Sequence, residues 1–356
     1  MTGMQTYPIG MAGLRNVAVF RALNLGDMLC AMPALRALRH ALPQAHITLV
    51  GLNSALPILH AFGDYLDELV EFPGDPAFPE QRVRHDALPG FYRAMRARNF
   101  DLVVQMHGSG AQSNAIVQAM EPARWVGFVS QEGQAEPGRL LFWPDHLHEV
   151  HRYLALLRHV GLDASDDTLE FPVSAADDAE VDALIARFGL EPDRLVFLHP
   201  GARLASRRWP LERFRAVAQA LASSGWQLAV TGSAGEKAMV GALTGRSGLS
   251  IVDVCGMTRL GVLAGLLRRG RLLVCNDTGV SHVAASVHLR SVVIACGSDV
   301  TRWRPLDTQR HTVVYDPVAC RPCAWDECPV GHPCALNVQV DDVLDAVYDH
   351  LFGHAP

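Results

Sequence analysis

Lysine is nearly missing from this 356-residue chain: of 31 Lys and Arg residues, only Lys237 is lysine. Such a bias more often reflects genomic base composition than chemistry, and it bears on one position discussed below, Arg207. An excess of positive charge is missing as well. With 37 acidic residues against those 31, the formal charge is -6 and the pI about 6.2, so there is no broad electrostatic footprint for nucleic acid and any anion site is local. No stretch approaches the ~18 to 20 uninterrupted apolar residues of a membrane span. The N-terminal MTGMQTYPIGMAGLRNVAVF has no basic region followed by a long apolar run and a cleavage site, so it does not read as a signal peptide and the cytoplasm is the expected compartment. There, the 8 cysteines are expected as thiols or metal ligands rather than disulfides. The 30 glycines and 21 prolines follow no short repeat, which excludes collagen-like, coiled-coil and solenoid architectures, and 49% apolar content excludes a disordered chain.

What is present is an alternating rhythm. Val17 to Phe20 is a β-prone run, and Met28 to Ala41 carries apolar residues at helical spacing until Pro43 stops it. HITLVG (His46 to Gly51) reads as a second strand, Leu69 to Phe72 as a third, Arg84 to Arg98 as a helix and DLVVQM (Asp101 to Met106) as the next strand. The pattern loosens from Gln131 to Asp145 and returns to helical spacing from Glu149 to Val160. A polar stretch at Asp163 to Thr168 places a domain boundary near residue 170. Beyond it the rhythm restarts, with strands at Leu195, Gln227, Arg271 and Ser291 and helices at Pro210, Gly235, Arg259 and Gly279. An α/β fold follows: two Rossmann-like, doubly wound halves, residues 1–170 and 171–356, each a parallel sheet covered on both faces, with a cleft between them. Ligands of open parallel sheets bind beyond the carboxyl ends of the strands. The loops at Asn24 to Asp27, His107 to Gly110, His199 to Arg208, Thr231 to Glu236 and Asn276 to His282 all follow expected strands.

Each loop carries usable chemistry. Gly26 and Asp27 fall just before a helix, where an aspartate can cap the helix or stand at the cleft as a general base. The same loop lacks the GxGxxG of a dinucleotide fingerprint, which weakens a reading as an NAD enzyme. HPGARLASRRWP sets Arg207 and Arg208 after a glycine turn, where a guanidinium can grip phosphate bidentately. In NDTGVSH the amides of Thr278 and Gly279 open a helix and form an anion site. Asp277 would repel phosphate and suits sugar hydroxyls instead, and His282 either donates to phosphate or packs internally. Glu236 either accepts both ribose hydroxyls, as acids do in nucleotide folds, or stabilises a helix first turn.

Taken in order, RALNLGDMLCAMPALRALR, DLVVQMHG, HPGARLASRRWP, VTGSAGE and CNDTGVSHVAA resemble glycosyltransferase family 9, the lipopolysaccharide heptosyltransferases, over nearly the whole chain. The resemblance implies a GT-B architecture, with the acceptor held mainly by the first half and the nucleotide sugar by the second. It implies that Asp27 takes a proton from the acceptor hydroxyl in an inverting single displacement. It places Arg207, where the family usually has lysine, beside the donor diphosphate, Glu236 on the ribose, and Asp277, Thr278, Gly279 and His282 in the donor turn. Stabilisation of the leaving diphosphate by Arg207 and the Thr278 and Gly279 amides needs no catalytic metal. The implied partners are ADP-heptose and a lipid A/Kdo-type or other glycan acceptor, with peripheral contact at the cytoplasmic face of the inner membrane. Arg93, Arg96 and Arg98 are available to an anionic acceptor, although a solvated helix face is the plainer reading of them, and residues 107–112 and 131–139 are expected to set acceptor choice. Transfer to a protein acceptor and a non-transferring nucleotide-sugar enzyme such as an epimerase are the alternatives.

CRPCAWDECPVGHPC spaces Cys320, Cys323, Cys328 and Cys334 closely enough to surround one tetrahedral zinc or iron ion, with His332 able to replace a cysteine. Unliganded thiols, or a disulfide formed on oxidation, are the competing readings, and a metal-binding interaction module is the third functional class. The family resemblance implies that similar cysteine clusters occur in part of the family and hold iron in a branch that glycosylates autotransporter proteins, while the cluster's place after the last expected strand points to a structural role in pinning the C-terminal segment. In position, the cluster follows the last strand expected, Ser291 to Cys296.

Overall fold

The computed structural model describes Gly10 and residues 13–245 and 248–353; most of the leader that carries the export-signal reading lies outside them. The chain forms two compact units, the first ending at Thr168 and the second beginning at Leu169.

In the first unit β1 (Asn16–Phe20), β2 (His46–Gly51), β3 (Glu68–Glu71), β4 (Leu102–Gln105), β5 (Trp125–Val129) and β6 (Leu140–Phe142) form one sheet in the order β3-β2-β1-β4-β5-β6. Every pairing is parallel. Helices α1 (Leu25–Ala41), α2 (Leu56–Ala61), α3 (Leu88–Ala97), α4 (Ser113–Ala119) and α5 (Glu149–His159) accompany the strands. The central strands are buried almost throughout, which is why β1 and β4 read as continuous apolar runs rather than alternating ones.

The second unit repeats the plan. Its strands are β7 (Leu195–His199), β8 (Gln227–Val230), β9 (Ile251–Asp253), β10 (Leu272–Asn276), β11 (Ser291–Ile294) and β12 (His311–Val314), in the order β12-β11-β10-β7-β8-β9 and again all parallel. Its helices are α6 (Ala175–Phe188), α7 (Leu211–Ser223), α8 (Lys237–Thr244), α9 (Leu260–Arg268), α10 (Gly279–Ser286), α11 (Val300–Trp303), α12 (Pro333–Leu336) and α13 (Val340–Phe352). Trp209, Phe214, Val217 and Leu221, together with Val343 and Val347 of α13, pack into one buried cluster with strand residues Val196, Leu198, Val274 and Ile294. In each sheet the chain reverses direction across the sheet between the first and fourth strands of the unit. Their carboxyl ends therefore open a crevice, β1 and β4 in one unit and β7 and β10 in the other.

The sequence reading passes over β5, α4, α6 and β9, and further details differ. α1 begins at Leu25 with Asn24 as its N-cap, so Gly26 and Asp27 lie inside the first turn and Asp27 is not the cap. The last strand is β12 rather than β11, and the cysteines follow β12. The stretch 131–145 contains β6, a three-residue edge strand too short to show a period. Among the described residues no helix is long and apolar enough to cross a membrane.

Candidate active site

The crevice of the second unit gathers most of the residues singled out above. Asn276, the last residue of β10, is fully buried and acts as a clamp: its Oδ1 accepts from the Trp209 amide at 2.9 Å and its Nδ2 donates to the Pro200 carbonyl at 2.7 Å. The loop after β7 is thereby fixed to the end of β10. Asp277 follows, its amide donating to the Ile294 carbonyl at 2.9 Å. Burial pushes the Asp277 carboxyl up from the usual aspartate range, opposed by Ser298 and by the positive charges of Arg207 and Arg321. Thr278 is the extended N-cap of α10, so the amides of Thr278 and Gly279 stand at the start of that helix. His282 is buried, with its ring 6.4 Å from that of Trp303.

Arg207 is half-buried at the end of a short 3-10 turn, where burial lowers its pKa against the pull of Asp277. Its Nη2 donates to the carbonyl of Cys323. Arg208 turns away, its Nε donating to the Ala202 carbonyl at 2.8 Å. Beside them, the Glu236 Oε2 accepts from the amide and hydroxyl of Ser233 at 2.7 and 2.8 Å, a capping box before α8. The other face of that carboxylate lies against Gly201, where a Cβ would collide with it. Glycine at 201 therefore lets the loops after β7 and β8 close on each other. The helix-terminal role of Glu236 is thus present in the structure, carried by Oε2, while Oε1 lies toward Gly201.

In the first unit Asp27 is half-buried, and Arg21 donates to its main-chain carbonyl from Nε and Nη2. His107, after β4, is buried against Phe78 with ring centroids 4.0 Å apart, and its Nδ1 accepts from the Ala22 amide at 3.2 Å. Burial and the Arg21 charge push its pKa down to about 3, so it is neutral and belongs to the core. Arg96 and Arg98 are not available to an acceptor. Arg98 pairs with both oxygens of Glu68 at 2.6 Å, which holds the Glu68 pKa at about 2, and Arg96 pairs with Glu121 at 3.1 Å. The physical reason is placement: they end the helix before β4, and Glu68 starts β3, so both sit at the amino edge of the sheet. Arg93 is exposed.

The four cysteines, with Ser206, Gly297, Arg321, Trp325 and His332, line a cavity of about 150 Å³. Cys334 is buried, Cys320 exposed and the other two half-buried, and none forms a disulfide. The His332 amide donates to Cys328 Sγ at 3.2 Å. His332 Nε2 donates to the Ser206 carbonyl at 2.9 Å, which occupies that ring nitrogen. The donor set suits a soft ion, but among the described residues no three His, Cys, Asp or Glu side chains are gathered as a metal site requires. What the loop visibly holds is the turn before Arg207. The Ser206 amide and hydroxyl donate to the carbonyls of Asp326 and Trp325, and Arg321 Nη2 donates to the Ser298 carbonyl at 3.0 Å. Asn276, Arg321 and the cysteine-loop carbonyls were not singled out from sequence. Only the Asn-Asp pair at a strand end gave a signal for the first.

Two doubly wound parallel sheets of this topology are those of a GT-B glycosyltransferase. Residues 90–333 match glycosyltransferase family 9 (heptosyltransferase), and the chain belongs to that family. It is 26% identical over 296 residues to lipopolysaccharide heptosyltransferase 3 of Escherichia coli strain K12, covering 79% of this chain and 82% of that protein. A crystal structure of a family 9 glycosyl transferase from Veillonella parvula DSM 2008 matches with a TM-score of 0.78 at 20% identity, over 96% of this chain and 98% of the other. The E. coli ADP-heptose lipopolysaccharide heptosyltransferase II matches with a TM-score of 0.70 at 19% identity, over 95% and 98%.

Proposed function

We propose that the chain transfers heptose from ADP-heptose to the inner core of lipopolysaccharide, with inversion and without a metal in the chemical step. Asp27 takes the proton of the acceptor hydroxyl while that oxygen attacks the anomeric carbon. The bond from that carbon to the diphosphate oxygen breaks in the same step, and ADP leaves with the electron pair. Arg207 and the amides of Thr278 and Gly279 bind the diphosphate as its charge grows, which is where fixed donors are most effective. Glu236 accepts from the ribose hydroxyls, Asp277 serves sugar hydroxyls rather than phosphate, and His282 packs beneath the turn. The acceptor is an anionic lipid-linked glycan, reached by peripheral contact at the cytoplasmic membrane face. The cysteine loop is structural, and Cys320, Cys323, Cys328 and Cys334 are the residues that would hold a zinc or iron ion there.

The observation that carries this reading is the restraint of Arg207 beside Asp277 at the opening turn of α10, at the carboxyl end of the central strand β10, where ligands of open parallel sheets bind. The test is incubation of the full chain with ADP-heptose, with and without heptose-free core lipid, followed by mass spectrometry. Addition of one heptose to the lipid is the expected result, and Asp27→Asn should lower that rate by about 10²- to 10⁴-fold, the usual worth of a general base. A donor converted to an isomer without acceptor would favour an epimerase. Glycosylation of a protein acceptor alone would move the acceptor class.

A further inference from the structure

The residue after β1, Arg21, is fully buried and grips the turn that carries Asp27. Its Nε and Nη2 donate to the Asp27 carbonyl at 3.2 and 2.5 Å, and its Nη1 donates to the Met106 carbonyl at 2.5 Å. One planar side chain thus joins the first turn of α1 to the end of β4, the two elements that flank the crevice of the first unit. Three donors in a rigid fork fix direction as well as distance.

Behind Arg21 stands α5. The guanidinium lies 4.2 Å from the centre of the Tyr153 ring and 3.7 Å from Glu149 Oε1. The Tyr153 hydroxyl donates to the same oxygen at 2.5 Å, and Arg152 Nη1 donates to Glu149 Oε2 at 3.2 Å. Arg21, Glu149, Arg152 and Tyr153 are all fully buried, so two guanidinium charges share one buried carboxylate. The other carboxylate near Arg152, that of Asp145 at 3.4 Å, is 87% exposed and therefore well screened. Burial works against the Arg21 charge, but Tyr153, Glu149 and Asp27 together outweigh it and raise its pKa. Asp27, whose main-chain carbonyl Arg21 holds, is thus one of the negative charges that Arg21 feels. His107, the remaining titratable group against Arg21, is neutral and adds nothing to the sum.

We propose that Arg21 is a positioning residue for Asp27, fixing its main chain through the carbonyl and holding a buried, only partly neutralised positive charge beneath its carboxylate. Glu149 sets the size of that charge. The inference rests on the reading of Asp27 as the base: a positive charge beside that carboxylate is built into the strand end rather than supplied by substrate.

The test is titration of the Asp27 carboxyl carbon by NMR in full-length protein labelled at aspartate Cγ, with the signal assigned by its loss in Asp27→Asn. Arg21→Met removes the positive charge and should raise the Asp27 midpoint by about one pH unit, the scale of a single nearby charge. Glu149→Gln removes the negative charge behind it and should lower the midpoint. Opposite signs are the signature, since a residue that only supports the fold would move neither midpoint, or both in one direction. If Arg21→Met fails to fold, Glu149→Gln and Arg21→Lys decide. Arg21→Lys keeps the charge but loses the fork, and should lower kcat by about tenfold with donor KM within about twofold, as misorientation does. An unmoved or raised midpoint in Glu149→Gln, or kcat unchanged in Arg21→Lys, overturns the proposal. Wild-type turnover by Asp27→Asn would instead overturn the base reading, whatever the midpoints do.

Discussion

A glycine decides how closely two loops of the second unit approach. Gly201 leaves room for the Glu236 carboxylate, and Gly201→Ala would force that carboxylate aside while leaving the buried strands untouched. The expected outcome is a rise of about tenfold or more in the ADP dissociation constant, read by calorimetry, with a melting temperature close to the parent's, because what the added methyl displaces is the far end of one flexible side chain rather than backbone. At this scale the sequence was most legible where a candidate residue lies in the loop or first helical turn after its strand, as Asp27, Glu236 and Asp277 do. It was least legible where the partner is remote. Arg21 meets Met106 across 85 positions, Asn276 meets Trp209 across 67 and His332 meets Ser206 across 126, and no local pattern records such pairings. The arginines of α3 show the converse error: a cationic helix face is visible in sequence, but the edge of the sheet it lies on is not.

Among the elements, the cysteine loop and the turn ending at Arg207 behave as one piece. His332→Ala removes the hydrogen bond to the Ser206 carbonyl and loosens that piece without touching the donor groups themselves. Donor KM should rise by about threefold to tenfold with little change in kcat, the pattern for lost ground-state binding. Equal losses in both parameters would assign the loop a different role. Metal analysis of reductively purified protein should return about one zinc or iron per chain, falling in Cys328→Ser, if the four thiols close on an ion. Long buried strands and amphipathic helices were readable because their periods extend over several turns or a full apolar run. β6 and β9, three residues each at sheet edges, offer no period to read. β12 was passed over because its burial is partial and its first residue, His311, is polar.

Across the whole molecule, each unit buries a histidine in its neutral form: His107, with a pKa of about 3, and His311, held at about 4 mainly by burial. Unfolded, each would titrate at the ordinary value of 6.5. Below that pH the unfolded chain binds the proton that the folded chain refuses, so stability is complete above about 6.5 and drains away as pH falls toward the folded values. The slope is up to about 1.4 kcal/mol per pH unit for each histidine. Denaturant unfolding between pH 7.5 and 5 should show this loss before ordinary carboxylates titrate, and His311→Gln should flatten it for the second unit. An identical slope in that variant would remove His311 as a cause.

The scarcity of lysine also has a practical side. Lys237 is exposed and adjoins Glu236 at the start of α8. Amine-directed acylation therefore has one side chain to find, and a fluorescent dye coupled there would ride on the loop proposed to receive ribose. The chain carries its own attachment point for an optical reporter of nucleotide arrival, with no engineered cysteine and no competing lysine.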